Sequence, residues 1–373
     1  MLQAFRVAGI PVRIDASWLL VFVLIAWSLA SGYFPRVLPD ATIAAAWVHG
    51  IAAALLLFAS VLLHELSHAL VAIEQGVPVS GIRLHVFGGV SEMAAEPPTP
   101  RAEALIAAVG PLTSFIIAAA CYGVGRLAGA RAWTAALTGY LAAVNLVIGL
   151  FNLVPGFPLD GGRLLRAMLW SWSGRLGWAT RWSSHAGAAF GVALVALGVV
   201  RTLAGEMVGG LWFILIGFFL YQAARSSYEL VHIRERLERR RAVDVMTRSP
   251  ITVDVSVPLT AVLEEPFASH RVGGFPVMRG DRLVGFLPWS RVAEVASDAA
   301  HGTAGEAMLP LDDADAVTPA ASAWEAFLKL GRSAVGRVPV VDGGRLVGII
   351  SQRDLQHVLG VERLRSDVAR RAA

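Results

Sequence analysis

Long apolar runs separated by short polar segments dominate residues 1–224. A helix needs about 20 apolar residues to cross the ~30 Å hydrocarbon core of a bilayer. Six charge-free runs approach or exceed this length: Ala16–Pro35, Ala41–His64 with a continuation to about Ala72, Ala104–Gly125, Ala132–Leu159 with an end near Pro155, Trp182–Val200 and Met207–Ala224. The pattern predicts a polytopic α-helical membrane protein with about six transmembrane helices, formed by a domain over residues 1–224.

Beyond Ala224 the apolar runs give way to a soluble, α/β-like pattern. Residues 225–241 are charged and predict a linker helix that leaves the membrane. Two copies of one unit follow, in which 275–286 aligns with 338–349 at an offset of 63 residues. Each copy reads as a helix, a strand, a Gly-Asp or Gly-Gly turn and a second strand. The predicted boundaries are 242–303 for the first copy, 304–362 for the second and 363–373 for a basic tail.

The composition narrows the class of protein further. Of the 373 residues, 55% are hydrophobic and 16% are charged, against ~25% charged in average chains. Together with a mean hydropathy of +0.60, this excludes a disordered chain, a nucleic-acid-binding tail protein and an ordinary soluble enzyme. No direct nucleic-acid partner is therefore expected. The single Cys121 cannot form an internal disulfide.

Arginine positions predict the orientation, because cytoplasmic loops of membrane proteins carry an excess of basic residues. Counting arginines between the runs puts both termini in the cytoplasm. The cytoplasmic side then carries Arg6, Arg13, Arg83, Arg101, Arg163, Arg166, Arg175 and Arg181, and the opposite side carries Arg36, Arg126, Arg131 and Arg201. Lys329 is the single lysine among 32 basic residues, and this preference for arginine suggests a GC-rich bacterial genome. The sequence thus predicts a multi-pass protein of a bacterial cytoplasmic (inner) membrane.

The second run carries the first candidate chemistry, at His64, Glu65 and His68. Positions i and i+4 share one face of a helix, so both imidazoles can reach one metal ion. Neutral imidazole is a good Zn²⁺ ligand, and Glu65 lies beside the histidines, where it can take a proton from water on the metal. The alternative is a polar packing site between helices. It is costly, because one charge at the bilayer centre costs about 2.5–3.5 kcal/mol on insertion scales.

A third ligand must come from elsewhere, and Asp160 at the end of the fourth run is the best candidate. Pro155 and Pro158 break the helix before it, and Gly161 and Gly162 are expected to give the backbone freedom after it. Irregular backbone at membrane depth is tolerated where it lines a water-filled cavity. Taken alone, a proline-rich stretch of this kind is more often a loop.

These two motifs resemble the site-2 protease family of intramembrane zinc metalloproteases. The resemblance extends over about residues 5–225. It implies one Zn²⁺ per chain, held by His64, His68 and Asp160, with Glu65 as the general base.

The resemblance also implies that Asn152 lies near the site, where it steadies the substrate backbone or the oxyanion. Capping of the proline-rich turn by the Asn152 side chain is the alternative. Phe87–Val90 also resembles the family, in which the stretch matching Val77–Met93 is a membrane-dipping β-hairpin whose edge could pair with an unwound substrate. His85 in this stretch is expected to be a structural histidine rather than a fourth ligand.

The two copies resemble a tandem of CBS domains, a module that often binds adenine nucleotides. Ser351 and Asp354 in the second copy match the family's ribose–phosphate pattern, with Ser351 facing phosphate and Asp354 the ribose hydroxyls. The first copy has Pro288 and Arg291 at these two places, so one adenine nucleotide at most is expected. The alternative is that the pair only dimerises or docks substrate. A homodimer through the CBS domains is also expected.

The resemblance implies a zinc-dependent endopeptidase that cleaves transmembrane segments of membrane-anchored substrates, with the CBS pair as a nucleotide-responsive gate. Expected partners are the lipid bilayer and single-span membrane proteins such as anti-sigma factors or membrane-bound transcription factors. Two alternatives stay open: a CBS-gated ion transporter and a catalytically inactive, protease-like scaffold. A transporter needs a polar path across several spans, whereas the ionisable residues here converge on one pair of motifs. The intact Glu65 disfavours the scaffold.

Overall fold

The structure is a computed structural model, and it describes residues 2–85, 88–127, 131–270, 272–295 and 302–360. The chain forms two compact units, Met1–Val231 and His232–Ala373. Phe87 of the expected hairpin, residues 361–362 of the second copy and the basic tail lie outside the described residues.

Helices and two β-hairpins make up the first unit. Its strands are β1 (Leu2–Val7), β2 (Ile10–Ile14), β3 (Val79–His85) and β4 (Gly88–Met93). Its helices are α1 (Ala16–Ser28), α2 (Phe34–Val37), α3 (Ile43–Glu74), α4 (Pro100–Leu127), α5 (Ala132–Asn152), α6 (Asp160–Ser173), α7 (Leu176–Leu203) and α8 (Met207–Glu238). Asp15 caps α1 by accepting a hydrogen bond from the Ser17 N–H at 3.0 Å, and the Thr42 hydroxyl caps α3 in the same way.

Six helical segments of the described chain are long and apolar enough to cross a membrane, which confirms the predicted polytopic helical class. They are Ala16–Val37, Ile43–Glu74, Pro100–Arg126, Ala132–Asn152, Leu176–Leu203 and Met207–Glu238. The first segment joins α1 to α2 through a widened helical turn over Leu29–Tyr33. The sixth runs on to Glu238, so the charged residues from 225 are helical and continuous with α8. The reason is local, because no proline or glycine interrupts 225–238.

A four-stranded sheet in the order β1–β2–β3–β4 joins the N-terminal hairpin to the hairpin that follows α3. Strands β2 and β3 pair in parallel, and both hairpins are antiparallel. The hairpin expected within Val77–Met93 is present as β3 and β4. Strands β1 and β2 were not predicted from the sequence. Ala8 and Gly9 at their turn both adopt positive φ, a conformation typical of tight hairpins.

The sheet packs against the C-terminal part of α3. Ile10 and Val12 of β2 and Ile82 and Leu84 of β3 form one buried cluster with Ala69 of α3. Side chains two residues apart lie on the same face of a sheet, which explains why alternate residues enter this cluster. The packing holds the β3–β4 hairpin beside the part of α3 that carries the predicted metal motif.

The second unit contains the repeat. Its strands are β5 (Thr247–Arg248), β6 (Val253–Asp254), β7 (Gly274–Arg279), β8 (Arg282–Pro288), β9 (Leu309–Pro310), β10 (Arg337–Asp342) and β11 (Arg345–Ser351). Its helices are α9 (Ala242–Val245), α10 (Leu259–Val262), α11 (Trp289–Val295), α12 (Ala304–Ala307) and α13 (Ala323–Arg332), and residues 352–360 are also helical. The two predicted hairpins are present as β7–β8 and β10–β11.

The two copies exchange their first strands. Strand β5 of the first copy pairs with β11 of the second, and β9 of the second copy pairs with β8 of the first. Met246 and Met308 precede these strands and pack on Gly348 and Gly285, respectively. A Cβ on either glycine would crowd the methionine sulfur atom. The two copies therefore form one interlocked α/β unit.

Candidate metal centre

Helix α3 supplies three of the predicted site residues from one turn. His64 and His68 are 5% and 3% exposed, and Glu65 is half-buried. The two histidines share a face, as their i and i+4 spacing predicts, and their Nε2 atoms lie 3.2 Å apart. They thus offer two nitrogen atoms at a separation that one metal ion can bridge.

Helix α4 orients both imidazole rings. Nδ1 of His68 donates to the Ile106 carbonyl oxygen at 2.5 Å, because a carbonyl oxygen can only accept. Nδ1 of His64 lies 2.9 Å from Oγ of the buried Ser114, and donation in that direction gives the same tautomer. With Nδ1 protonated, each neutral ring presents an unprotonated Nε2 to the site.

Gly110 lets α4 approach the histidines this closely. A Cβ at this position would lie 2.7 Å from Nε2 of His64 and would overlap Nε2 of His68. Even a methyl group would therefore intrude on the space that a metal between these two nitrogen atoms needs.

The third predicted ligand, Asp160, is the first residue of α6. The proline-containing segment 153–159 joins α5 to it. The prediction that Gly161 and Gly162 give the backbone freedom is wrong, because both residues are helical. Glycine is needed there for close packing, since a Cβ at either position would overlap the backbone of segment 153–159.

Helix α7 holds that segment from the other side. The backbone N–H of Phe157 donates to the Ser183 carbonyl oxygen at 3.1 Å. A Cβ on Gly187 would overlap the carbonyl oxygen of Phe157. The position of Asp160 therefore depends on α7 as well as on its own helix.

The fold brings His64, His68 and Asp160 into one buried cluster. Oδ2 of Asp160 lies 3.2 Å from Nε2 of His64 and 3.2 Å from Nε2 of His68. With 3.2 Å between the two nitrogen atoms, the three ligand atoms form a nearly equilateral triangle. Ligands at ~2.0–2.1 Å from a tetrahedral zinc ion stand roughly 3.3 Å apart. The triangle therefore fits one face of a tetrahedral zinc site, with the fourth position left for water.

The carboxylate of Glu65 is held by the β3–β4 hairpin. Oγ of Ser91 in β4 lies 3.0 Å from Oε2 of Glu65 and 2.8 Å from the backbone carbonyl oxygen of Glu65. Gly89 of the same strand packs on this side chain, and a Cβ there would lie 3.1 Å from Cδ of Glu65. The predicted general base is thus next to a metal ligand in sequence and is covered by an edge strand in space.

Three other polar residues of the first unit are placed as follows. Nδ2 of Asn152 donates to the Ile148 carbonyl oxygen of its own helix at 3.0 Å. His49 of α3 stacks on Trp133, with 4.0 Å between ring centroids. Burial lowers the pKa of the His85 imidazole in β3 and favours its neutral form.

A buried ion pair that was not predicted from the sequence joins α4 to α6. Glu103 is 0% exposed and accepts a hydrogen bond from Nε of the buried Arg166 at 2.5 Å. Arg166 also lies 3.2 Å from Glu96 and over the ring of Phe157. The sequence signal for this pair is the placement of charged residues beside apolar runs. A charge that is buried there costs free energy unless it is paired. The pair ties the helix that begins with Asp160 to the helix that orients both histidines.

In the second unit, Ser351 and Asp354 lie together at the end of β11. The hydroxyl and the N–H of Ser351 donate to Oδ2 of Asp354 at 2.6 and 2.7 Å, at the start of the helical residues 352–360. Thr247 of β5 donates to Oδ1 of Asp354 at 3.2 Å. The residues matched to phosphate and ribose recognition therefore form a helix cap that also joins the two copies.

Comparison with known proteins gives the same two parts. The sequence matches peptidase family M50 over residues 52–133 and 126–197, and the CBS domain over 242–298 and 305–360. It is 34% identical to a Mycobacterium tuberculosis protein named as zinc metalloprotease Rip3, across 96% of this chain and 93% of that protein.

One sequence match and one solved structure come from the archaeon Methanocaldococcus jannaschii. Identity to the zinc metalloprotease MJ0392 of Methanocaldococcus jannaschii is 29%, across 98% of both chains. Among solved structures, the site-2 protease from Methanocaldococcus jannaschii has 29% identity and a TM-score of 0.44, and the match covers 61% of this chain and 94% of that one.

Proposed function

Because this chain belongs to peptidase family M50, the site-2 protease family of zinc metalloproteases, we propose that it cleaves membrane-anchored proteins within their transmembrane segments. The observation that carries the proposal is the triangle formed by His64, His68 and Asp160 beside Glu65. His64 lies ten residues before the end of α3, which is ~15 Å along the helix and therefore well inside a membrane-spanning segment.

The residues divide the chemistry of peptide-bond hydrolysis among them. His64, His68 and Asp160 would hold zinc, which when bound supplies Lewis acidity and lowers the pKa of a bound water toward ~7. Glu65 takes a proton from the attacking water and returns it to the leaving amine nitrogen, so that the C–N bond breaks after the C–O bond forms. Ser114 keeps the His64 ring in the tautomer that the ligand role requires.

The substrate has to present an extended peptide, because a helix shields its carbonyl groups with internal hydrogen bonds. Strand β4 lies at the edge of its sheet, and an edge strand can accept a further strand through its backbone groups. Gly89 and Ser91 of this strand lie against Glu65, so a strand added there would pass beside the base. We therefore expect helix-breaking residues near the scissile bond of the substrate.

The proposed substrates are single-span membrane proteins of the anti-sigma-factor or membrane-bound transcription-factor type. The proposed location is a bacterial inner membrane, with both termini in the cytoplasm, and the arginine distribution supports it. A homodimer through the CBS domains, without direct nucleic-acid contact, completes the proposal.

An adenine nucleotide at the CBS pair is the proposed regulator. Ser351 and Asp354 are the residues expected to bind it, and Thr247 ties Asp354 to the first copy. A ligand that displaces these hydrogen bonds would change contacts of both copies at once. Calorimetric titration of the full chain with AMP and with ATP checks this: we expect binding that Asp354→Ala abolishes. Equal binding by the variant, or no binding by the wild type, would contradict it.

Zinc analysis and a cleavage assay test the protease proposal together. We expect one zinc per chain in the wild type and a large loss in both His68→Ala and Asp160→Ala. His49→Ala is the matched control, since His49 lies on the same helix and stacks on Trp133. Glu65→Gln should keep its zinc and lose about 10²–10⁴-fold in cleavage of a single-span reporter in vesicles.

Two results would contradict this proposal. Zinc that is unaffected by Asp160→Ala would break the link between the two motifs. Wild-type protein that carries zinc and cleaves no transmembrane reporter would favour the scaffold alternative.

A further inference from the structure

We infer that Ser91 is a positioning residue for the reaction: its hydroxyl, presented by the edge strand β4, holds the Glu65 side chain in its working position. The inference rests on the proposed function, in which Glu65 is the general base. It adds a residue outside the metal motifs, and it gives the N-terminal strands β1 and β2 a role in the site.

Both acceptors of the Ser91 hydroxyl belong to Glu65. Oγ of Ser91 lies 3.0 Å from Oε2 of Glu65 and 2.8 Å from the Glu65 backbone carbonyl oxygen. A hydroxyl has one proton, which these two acceptors share. Ser91 therefore fixes the Glu65 carboxylate relative to the backbone of α3.

Gly89 of β4 also packs against the Glu65 side chain. Residues 89 and 91 are two apart and lie on one face of β4. A Cβ at Gly89 would overlap Cγ of Glu65 and would lie 3.2 Å from Oε1. Gly89 therefore leaves room for the Glu65 side chain, and Ser91 supplies a hydrogen-bond donor to its carboxylate.

Charged side chains on three adjacent strands hold β4 in register. Glu92 of β4 accepts from Arg13 of β2 at 2.8 Å and also pairs with Arg83 of β3. Arg13 and Arg83 are themselves partners in the parallel β2–β3 register. A two-stranded hairpin alone is marginally stable, so these ion pairs and the N-terminal strands fix where Ser91 meets Glu65.

Loss of the hydroxyl should affect the chemical step more than binding. An unrestrained Glu65 side chain samples several rotamers, and a base that is displaced from the attacking water does not accept its proton. The residues that form the ligand triangle are untouched, so zinc and substrate affinity should stay the same.

Kinetics of the full-length protein in vesicles test the inference. The substrate is a single-span reporter whose transmembrane helix carries a central Asn-Pro helix break. We expect Ser91→Ala to lower kcat about tenfold with KM and zinc content unchanged, a size that fits one hydrogen bond to a charged group. Ser91→Thr keeps the hydroxyl and should restore kcat. Ser80→Ala is the matched control, because the Ser80 hydroxyl donates within the same hairpin, to the Glu92 carbonyl oxygen at 3.0 Å.

A second readout needs neither turnover nor zinc. Infrared difference spectra identify the Glu65 carboxylate stretch by its absence in Glu65→Gln. Ser91→Ala should shift this band, and Ser80→Ala should leave it in place. An unchanged band in Ser91→Ala, a loss confined to KM or zinc, or failure of Ser91→Thr to restore kcat would overturn the inference. If Glu65→Gln cleaved the reporter as fast as the wild type, the proposed role of Glu65 as general base would be wrong. The infrared spectra of Ser91→Ala would still show whether Ser91 contacts the Glu65 carboxylate, so the two failures can be told apart.

Discussion

At the scale of single residues, the space around the ligand atoms matters as much as the ligands. Gly110→Ala places a methyl group against Nε2 of both histidines. We expect zinc affinity to fall at least ~10-fold, while the helix itself is not weakened, since alanine is the better helix former by ~1 kcal/mol. A chelator competition assay measures the affinity. Gly123→Ala is the control, because Gly123 lies in the same helix and faces open space. Equal zinc affinity in the two variants would contradict the close approach of α4.

A second residue-scale prediction concerns the partner of the His64 ring. Ser114→Ala removes the group that faces Nδ1 of His64, and loss of such an outer partner typically costs roughly 10–100-fold in metal affinity. Thr113→Ala is the neighbouring control, since the Thr113 hydroxyl donates to a carbonyl oxygen of its own helix. The same competition assay compares the variants. Similar zinc affinity in both would mean that Ser114 does not orient the ring.

At the scale of elements, the buried pair of Glu103 and Arg166 holds α6 on α4. Arg166→Met leaves the Glu103 carboxylate buried without its partner, so it should lower the free energy of unfolding by roughly 3–5 kcal/mol. Glu103→Leu should cost less, because Arg166 keeps Glu96 at 3.2 Å. The double variant should be less destabilised than Arg166→Met, because the Glu103 carboxylate is no longer stranded. Thermal unfolding in detergent measures the effect.

The control for this pair is an exposed one. Arg201 and Glu206 lie 3.0 Å apart at the turn between α7 and α8, and Arg201→Gln should cost less than ~1 kcal/mol. If Arg166→Met is as mild as Arg201→Gln, the α4–α6 pair does not stabilise the unit.

At the scale of the whole molecule, the exchange of strands β5 and β9 predicts that the two CBS copies unfold together. Gly285→Ala and Gly348→Ala each crowd the methionine that crosses from the other copy, and overpacking of this kind costs roughly 1–3 kcal/mol. Hydrogen exchange should show loss of protection in both copies, whichever glycine is changed. Gly331→Ala is the control, since nothing lies near a Cβ there. Loss of protection confined to one copy would contradict the interlocked unit.

Features that depend on contiguous residues could be predicted from the amino-acid sequence. A run of about 20 apolar residues is a property of one segment, and so is the i and i+4 spacing of His64 and His68. The six spans, the repeat with its two hairpins and the family could therefore be predicted without coordinates. Asp160 could be proposed as a third ligand, because its proline-rich setting is also local.

Contacts between residues that are distant in the chain became visible in the folded protein. Asp160 meets His64 across 96 positions, Arg166 meets Glu103 across 63 and Ser91 meets Glu65 across 26. No local pattern specifies such pairs, because their separation depends on how helices and strands pack. The same reason explains the error at Gly161 and Gly162: a glycine selected for close packing and one selected for backbone freedom are identical in sequence. They differ only in what lies opposite the missing Cβ.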